Sequence, residues 1–554
     1  MSKIAKEFNY DKSIRALERN AKRGNFYSAV QLNDYYRNGK FVEKDLASSE
    51  KYLQLAYNIF RDQHIKINSL KLSNFRGIEN INIKNFDDNL NIFVGNNGAG
   101  KTTFLDAIDL SLSWLSISIN KSGGNGNYIE ENDINIYSKK PYATVSSAMQ
   151  INHQLSANLE LSKSHDGRIK VRNKLSDFRT VGSFYKSANI INSAFNMPLL
   201  AYYNVMRSYD VNPNDFKGLD SRSETSAIDK FDAYQKSLTG KTDFGSFVKW
   251  YTTSDHILLR RENELSRPVA LDALDVSEEL LERLKKLSDS NEDIRKAYIQ
   301  LEEAIQSRSQ TEIPADSDLE RNRKIINNVV SSFMDGYSDL EVQLEPTFDL
   351  VIRKHNRKIS VLRLSQGEKT LLALVLDIAR RLIILNPSLD DPLKGQGIIL
   401  IDEFDLHLHP KWQKTIAENL RTTFPNCQFF LTTHSPLVLS EIDRRHIYIL
   451  SEDDEGYVSI QQPEQSFGLS SSQILNELMG SNDGKQIARS QFVEDTLEEI
   501  MDLIDEETKR SLNLAKDKIN QLDHLIHGDI PELVREKHRL ELAFEWLVDN
   551  EENK

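Results

Sequence analysis

The segment that most constrains this chain is Gly95-Asn96-Asn97-Gly98-Ala99-Gly100-Lys101-Thr102, which follows an apolar run, Leu90-Asn91-Ile92-Phe93-Val94. A buried strand that breaks into glycines and restarts as a helix can curl its backbone N–H groups toward one point. The helix then adds its positive end, and the result is a cradle for phosphate. A chance glycine-rich turn would not also have the strand before it and the helix, Thr102 to Leu115, after it. In such a P-loop, Lys101 reaches the β- and γ-phosphates and the Thr102 hydroxyl ligates Mg²⁺. Asn96, Asn97, Gly98, Gly100, Lys101, Thr102 and Thr103 are therefore the candidate nucleotide-binding residues, with ATP and Mg²⁺ as the expected ligands. An α/β fold follows, because the loop needs a sheet behind it.

Two further segments supply what a P-loop lacks. Gly397 to Ile401 is an apolar run capped by Asp402 and Glu403. Asp402 can hold Mg²⁺ with Thr102, and Glu403 can polarise an attacking water. Ser365-Gln366-Gly367-Glu368 opens a long helix, Lys369 to Ile384. Its S-x-x-E spacing is a capping box, which many helices use for stability alone. Beside a P-loop and a strand-end acid pair, the same capped end reads as a surface that faces a γ-phosphate.

Composition narrows the rest. A length of 554 residues suggests about three or four domain-sized units. The net charge of −13 argues against binding nucleic acid with the whole surface, so such contact needs a local basic patch. One cysteine, Cys427, excludes an internal disulfide and a cysteine-based zinc cluster. Met1 to Lys6 lacks the apolar stretch of a signal peptide. The most apolar long segment, Leu371 to Leu385, carries Asp377, Arg380 and Arg381, which suit no bilayer. The expectation is a cytoplasmic chain with no membrane contact.

Taken together, Leu72-Ser73-Asn74-Phe75-Arg76-Gly77, the P-loop, Leu364 to Glu368, Ile401-Asp402-Glu403, Phe404 to Pro410 and Thr432-Thr433-His434-Ser435-Pro436 resemble the ABC-type ATPase head of the SMC/RecF/OLD kind. The resemblance implies a head-to-tail dimer, or a higher even-numbered oligomer, with ATP between one chain's P-loop and the other's signature. Glu403, His434 and Lys101 would be catalytic. Arg76, Ser365, Gly367 and Glu368 would join the nucleotide-binding set, and Thr102 and Asp402 would be the metal ligands. His407 and His409 suggest a metal site, but packing of the loop after Glu403 explains them better. The family's glutamine before the insertion is not evident; Gln150 and Gln154 lie nearby without a convincing context.

The resemblance divides the chain into five parts. Residues 1–63 read as helical, and Ala21, Gly24, Ala29, Leu32, Tyr35, Gly39, Asp45, Tyr52 and Ala56 resemble a Sel1/TPR-like repeat, an ordinary helical hairpin that caps the domain being the alternative. Residues 64–206 form the N-terminal lobe of the head and 207–335 a mostly helical insertion. Residues 336–450 form the C-terminal lobe, and 451–554 a helical region that docks partners or sibling subunits. A Toprim nuclease pattern is missing after the head, and His524 and His527 stand alone on an amphipathic helix.

This organisation resembles the PtuA-type ATPases of Septu and retron anti-phage defence systems. It implies an ATPase without nuclease activity of its own, which controls a partner HNH nuclease (PtuB-like) and in retrons accompanies a reverse transcriptase with its msDNA. The competing expectation is a stand-alone RecF/SMC-like DNA-repair clamp, for which Lys163 to Lys174 and Arg353 to Lys358 would supply basic surface.

Overall fold

The computed structural model describes residues 10–60, 64–121, 123–136, 138, 140–152, 155–165, 172–206, 229–254, 317–343, 348–453, 456–478, 490–526 and 530–552. Asp166-Gly167, whose sequence reads as a hairpin turn between two short strand-like runs, lies outside these residues. So do Leu280 to Leu287 and Ile294 to Ile305, which read as helices of the insertion, and Gln154 and His527. The chain separates into two compact units, Met1–Val438 with Arg445–Gln461, and Leu439–Arg444 with Gln462–Lys554.

The first unit opens with helices α1 (Tyr10–Lys22), α2 (Phe26–Asn38) and α3 (Leu46–Phe60). Asn25 caps α2 by accepting a hydrogen bond from Ser28 N, and Gly39 ends it in left-handed backbone. Strands β1 (Ile65–Phe75), β2 (Ile78–Lys84), β4 (Tyr142–Ile151) and β5 (Leu155–Ser164) form an antiparallel sheet in the order β2-β1-β4-β5. Helix α4 (Lys101–Asn120) follows β3 (Leu90–Gly95), and α5 (Ser176–Ile191) packs on α4. Phe184 of α5 meets Phe26 and Phe60 with ring centroids 5.0 and 4.8 Å apart, and this aromatic cluster seats the N-terminal helices. Burying each such ring contributes about 1.5–3 kcal/mol.

The site is built on a six-stranded sheet, completed by β6 (Leu199–Tyr203), β10 (Gly397–Ile401), β11 (Cys427–Thr432), β12 (Ile447–Glu452) and β13 (Val458–Gln461). Its order is β13-β12-β3-β11-β10-β6, and every pairing except the β12–β13 edge is parallel. Strands β3, β6, β10 and β11 are buried at every residue, as near-continuous apolar runs covered on both faces must be. The register sets Ile401 beside Leu431, and Thr432 beside Phe93. The carboxyl ends of β3, β10 and β11 therefore open at one edge, where ligands of parallel sheets bind.

A smaller antiparallel sheet holds β7 (Tyr337–Gln343), β8 (Asp349–Lys354) and β9 (Arg357–Ser360), next to α6 (Ser317–Phe333). It leads into α7 (Gln366–Leu385). Asp377, Arg380 and Arg381 of α7 are buried and paired: Asp377 accepts from Arg381 Nε at 2.8 Å and from Arg380 Nη2 at 2.9 Å. Tyr203 Oη, at the end of β6, also donates to Asp377 at 2.9 Å. Burial alone would raise the Asp377 carboxyl, but the two guanidinium groups outweigh it and hold it low. Among the described residues no helix is long and apolar enough to cross a membrane.

In the second unit, α9 (Gln491–Asp505), α10 (Lys509–Ile526) and α11 (Pro531–Glu552), numbered after α8 (Pro410–Thr423) of the first, share one apolar core. Leu497, Ile500, Ile504, Leu512, Ile519, Leu522, Leu533 and Leu540 fill it. Buried Glu536 is held by Arg535 and Arg539, and Arg539 also reaches Asp505 at 2.6 Å.

Candidate active site

Lys101 is the first residue of α4, and Gly100 caps that helix at φ 90°, where a residue with a β-carbon is strained. The Lys101 side chain is largely buried, and its Nζ donates to the carbonyls of Gly95 and Asn96, each at 2.9 Å. Burial lowers the affinity of its ammonium for the proton, against the pull of Asp402 and Glu403. The amine is thus folded onto its own loop, close to two acids contributed by another strand.

The two strand ends meet through hydroxyls. Thr102 Oγ1 donates to Asp402 Oδ2 at 3.0 Å, across a separation of 300 residues. Thr432 Oγ1, at the end of β11, donates to Asp402 Oδ1 at 2.5 Å and accepts from Glu403 N at 2.7 Å. Glu403 itself sits at φ 44°, a backbone state unusual for a residue with a side chain. The β11 end continues through Thr433 to His434, a half-buried imidazole. Burial, and next the Lys101 ammonium, lower its pKa, so it is neutral at neutral pH. Ser435 donates to Gln413 of α8 at 3.0 Å, which anchors the segment after His434.

These residues fit a divalent cation. A threonine hydroxyl and an aspartate oxygen converge within hydrogen-bond distance at the mouth of a phosphate cradle. Oxygen donors of this kind suit Mg²⁺, which usually keeps several waters. Among the described residues no group of three or more His, Cys, Asp or Glu gathers as a metal cage. His407 and His409 instead line a hollow next to α7, and His409 caps α8 through Nδ1.

That hollow, about 640 Å³, is where the structure places the signature. Its walls include Ser365, Gly367, Glu368, Tyr337, Lys354 and His407, and no P-loop residue. Ser365 and Glu368 form the reciprocal capping box, with Ser365 N donating to Glu368 Oε2 at 2.7 Å. Glu368 also accepts from Lys354 Nζ at 2.9 Å and from the Tyr337 hydroxyl. Burial opposes its charge, but these donors prevail and pull its pKa down from 4.5 to about 2. A β-carbon on Gly367 would run into the His407 carbonyl, so only glycine fits there.

Arg76 directly follows β1, and Ile78, two residues beyond it, stands 3.9 Å from where a β-carbon on Gly100 would sit. At φ 51° Arg76 is gripped by Asp106 and, through Nε at 2.8 Å, by Asp133. Burial works against its charge, yet the two carboxylates raise its pKa above the ordinary value. Asp106 further accepts from the Tyr202 hydroxyl at 2.9 Å. One turn along α4, burial foremost and then the Asp106 charge raise Asp109 to about 7. Sequence reasoning missed Asp106, Asp109, Tyr202 and Tyr337, and it gave Thr432 and Lys354, though both lie in segments it singled out, no contact at the site; the acids in the first turns of a phosphate-binding helix were the one local sign. Gln150 sits in β4 opposite Lys66 and Ser156.

Residues 90–440 match the family described as "AAA domain, putative AbiEii toxin, Type IV TA system". The "Retron Vc95 probable ATPase" of Vibrio cholerae is 35% identical over 467 residues, which span 84% of this chain and 88% of that protein. The "Retron Ec83 probable ATPase" of Escherichia coli is 34% identical over 491 residues, 85% and 87% of the two chains. The "Septu protein PtuA" of Bacillus thuringiensis matches over 204 residues at 29% identity, 36% of this chain and 49% of that one. Among solved structures, the SMC head domain from Thermotoga maritima aligns with a TM-score of 0.36 at 15% identity, covering 72% of this chain and 99% of that one.

Proposed function

This chain belongs to that AAA-domain family and is an ATPase related to the retron and Septu PtuA proteins, and from that premise we propose that it is the regulatory subunit of an anti-phage defence complex. In this reading, ATP-dependent pairing of two heads restrains a partner HNH nuclease. On the same reading a reverse transcriptase with its msDNA belongs to the assembly, which the word retron in the names of two relatives supports without naming either partner. The observation that carries the ATPase chemistry is the junction of Thr102, Asp402 and Thr432, which ties the P-loop to the ends of β10 and β11.

Lys101 exchanges its two loop carbonyls for the β- and γ-phosphates, and the backbone of Asn96 to Thr103 surrounds them. Thr102 and Asp402 would hold Mg²⁺, whose charge offsets that of the phosphates. Glu403 takes the proton of the attacking water, and neutral His434 donates a hydrogen bond to the γ-phosphate. The signature supports a two-chain site: Ser365 and Gly367 line a hollow that the P-loop does not share, so a second copy would present them. Residues 1–63, 64–206, 207–335, 336–450 and 451–554 serve in this proposal as N-terminal segment, lobe, insertion, lobe and docking region. Exposed Phe492, Leu514, Leu525 and Trp546 support docking by the last of these.

The decisive variant is Glu403→Gln. It should bind ATP, turn over about 10²–10⁴-fold more slowly, and accumulate as a nucleotide-locked dimer in analytical ultracentrifugation. Lys101→Ala should fail to bind nucleotide. Hydrolysis by Glu403→Gln at the parental rate would remove the base assignment.

A further inference from the structure

A cleft of about 1030 Å³, lined by none of the nucleotide-binding candidates, opens between α2 and α5. It shares Ser176, Asp177 and Arg179 with a neighbouring hollow of about 730 Å³, which Lys174 lines. Four cations, Arg37, Lys40, Arg179 and Lys186, face the larger cleft against two acids, Asp34 and Asp177. The local balance is therefore 4 − 2 = +2, in a chain whose net charge is −13.

The acids are already engaged. Asp34 accepts from Asn38 at 2.7 Å, and Asp177 accepts from Asn158 N at 3.1 Å. Arg37 and Lys40 are exposed and make no ion pair among the described residues. Arg179 occupies the junction of the two hollows. Its guanidinium lies 4.8 Å from the Trp114 ring centroid and donates to Asn125 at 2.7 Å, while its Nε is buried with no hydrogen-bond partner. A flat, stacked and incompletely satisfied guanidinium is a poor structural strut and a good phosphate anchor.

The spacing selects among anions. Arg179 and Lys186 are seven residues apart, about 10.5 Å along a helix. Lys174 beyond them is already paired with Glu160 at 2.6 Å, so the track is made by Arg37, Lys40, Lys186 and Arg179, whereas a lone phosphate group needs donors that converge. At the Arg37 end, Tyr35 lines the cleft and meets Phe41 edge-on, centroids 5.1 Å apart; Phe41 remains 45% exposed. An exposed ring beside a basic track suits unpaired bases, whose faces are free to stack, and offers little to a duplex. We propose that this cleft binds single-stranded nucleic acid, its backbone along Arg37, Lys40, Lys186 and Arg179 and a base against the Tyr35–Phe41 edge. The site is separate from the ATPase machinery and stands whether or not a nuclease is the partner.

The test is fluorescence anisotropy of a labelled oligothymidylate of about 20 nucleotides on the full-length protein. Arg37→Glu/Lys40→Glu should weaken binding about tenfold or more and flatten the log K against log salt slope by about 1.4, the share of two phosphate contacts on a single strand. Lys22→Glu/Arg23→Glu, an exposed pair outside the cleft with the same charge change, should stay within about twofold of the parent. Both double variants should keep parental ATP turnover, and Lys101→Ala should bind the strand while losing nucleotide, so failure here and failure of the ATPase reading look different. Equal affinity of parent and cleft variant overturns the proposal. So does equal weakening by the control pair, or equal competition by a duplex of the same length.

Discussion

The P-loop half and the signature half of the candidate site are stabilised in different ways. The first stands on the ends of buried parallel strands, where the backbone register itself brings Thr102, Asp402 and Thr432 together. The second is a helix end steadied by side chains, with Glu368 held by Lys354 and Tyr337 of the small antiparallel sheet, while the His407 carbonyl fills the place a β-carbon on Gly367 would take. One half is rigid because of what covers it. The other is held by ionic and hydroxyl contacts that a charge, a proton or a partner can loosen. The Tyr203–Asp377 hydrogen bond joins them, since Tyr203 ends a strand beside β10 and Asp377 lies in the signature helix.

Breaking that joint should have the largest effect. Asp377→Asn leaves Arg381 with a poor partner in a fully buried setting and should destabilise the fold by about 3–5 kcal/mol, read from the midpoint of urea unfolding. A change within about 1 kcal/mol would show the two halves to be independent.

Loosening only the signature should cost less. Lys354→Met removes one brace of Glu368, and because Lys354 is partly exposed the loss should be about five- to tenfold in kcat. Nucleotide affinity of the P-loop, measured by equilibrium binding, should not change. A matching loss of affinity would erase the distinction between the halves.

The smallest effect is with pH. Glu368 has its pKa depressed from 4.5 to about 2, so its contribution is complete above pH 4.5 and is lost as pH falls toward 2. The difference in melting temperature between the parent and Glu368→Gln should therefore shrink across that window. A constant difference would mean that packing, not charge, holds the signature end.

The same contrast explains what could be read from residues alone. The P-loop, the acids after β10 and the Ser365 cap are local patterns, so their chemistry shows in a few consecutive letters. The supports are not local: Tyr337 reaches Glu368 across 31 residues, Thr432 reaches Asp402 across 30, and Tyr202 reaches Asp106 across 96. Nothing near Arg76 in the chain announced Asp106 and Asp133 as its partners, which the packing of α4 and of the turn Glu131–Asp133 against the strand end supplies. The charges in α7 were legible as unfit for a bilayer, but their pairing inside a protein core was not.

The contact between Gly367 and the His407 carbonyl has a consequence for how this chain can change over generations. Selection there acts on unequal terms: position 367 accepts no side chain at all, whereas position 407 meets it through a backbone oxygen that every amino acid possesses. The residue whose letter must persist is the one with nothing to contribute but space, and its neighbour is free to drift provided that its left-handed turn, φ 64°, is kept. Heritable constraint at this point is written in the path of the main chain.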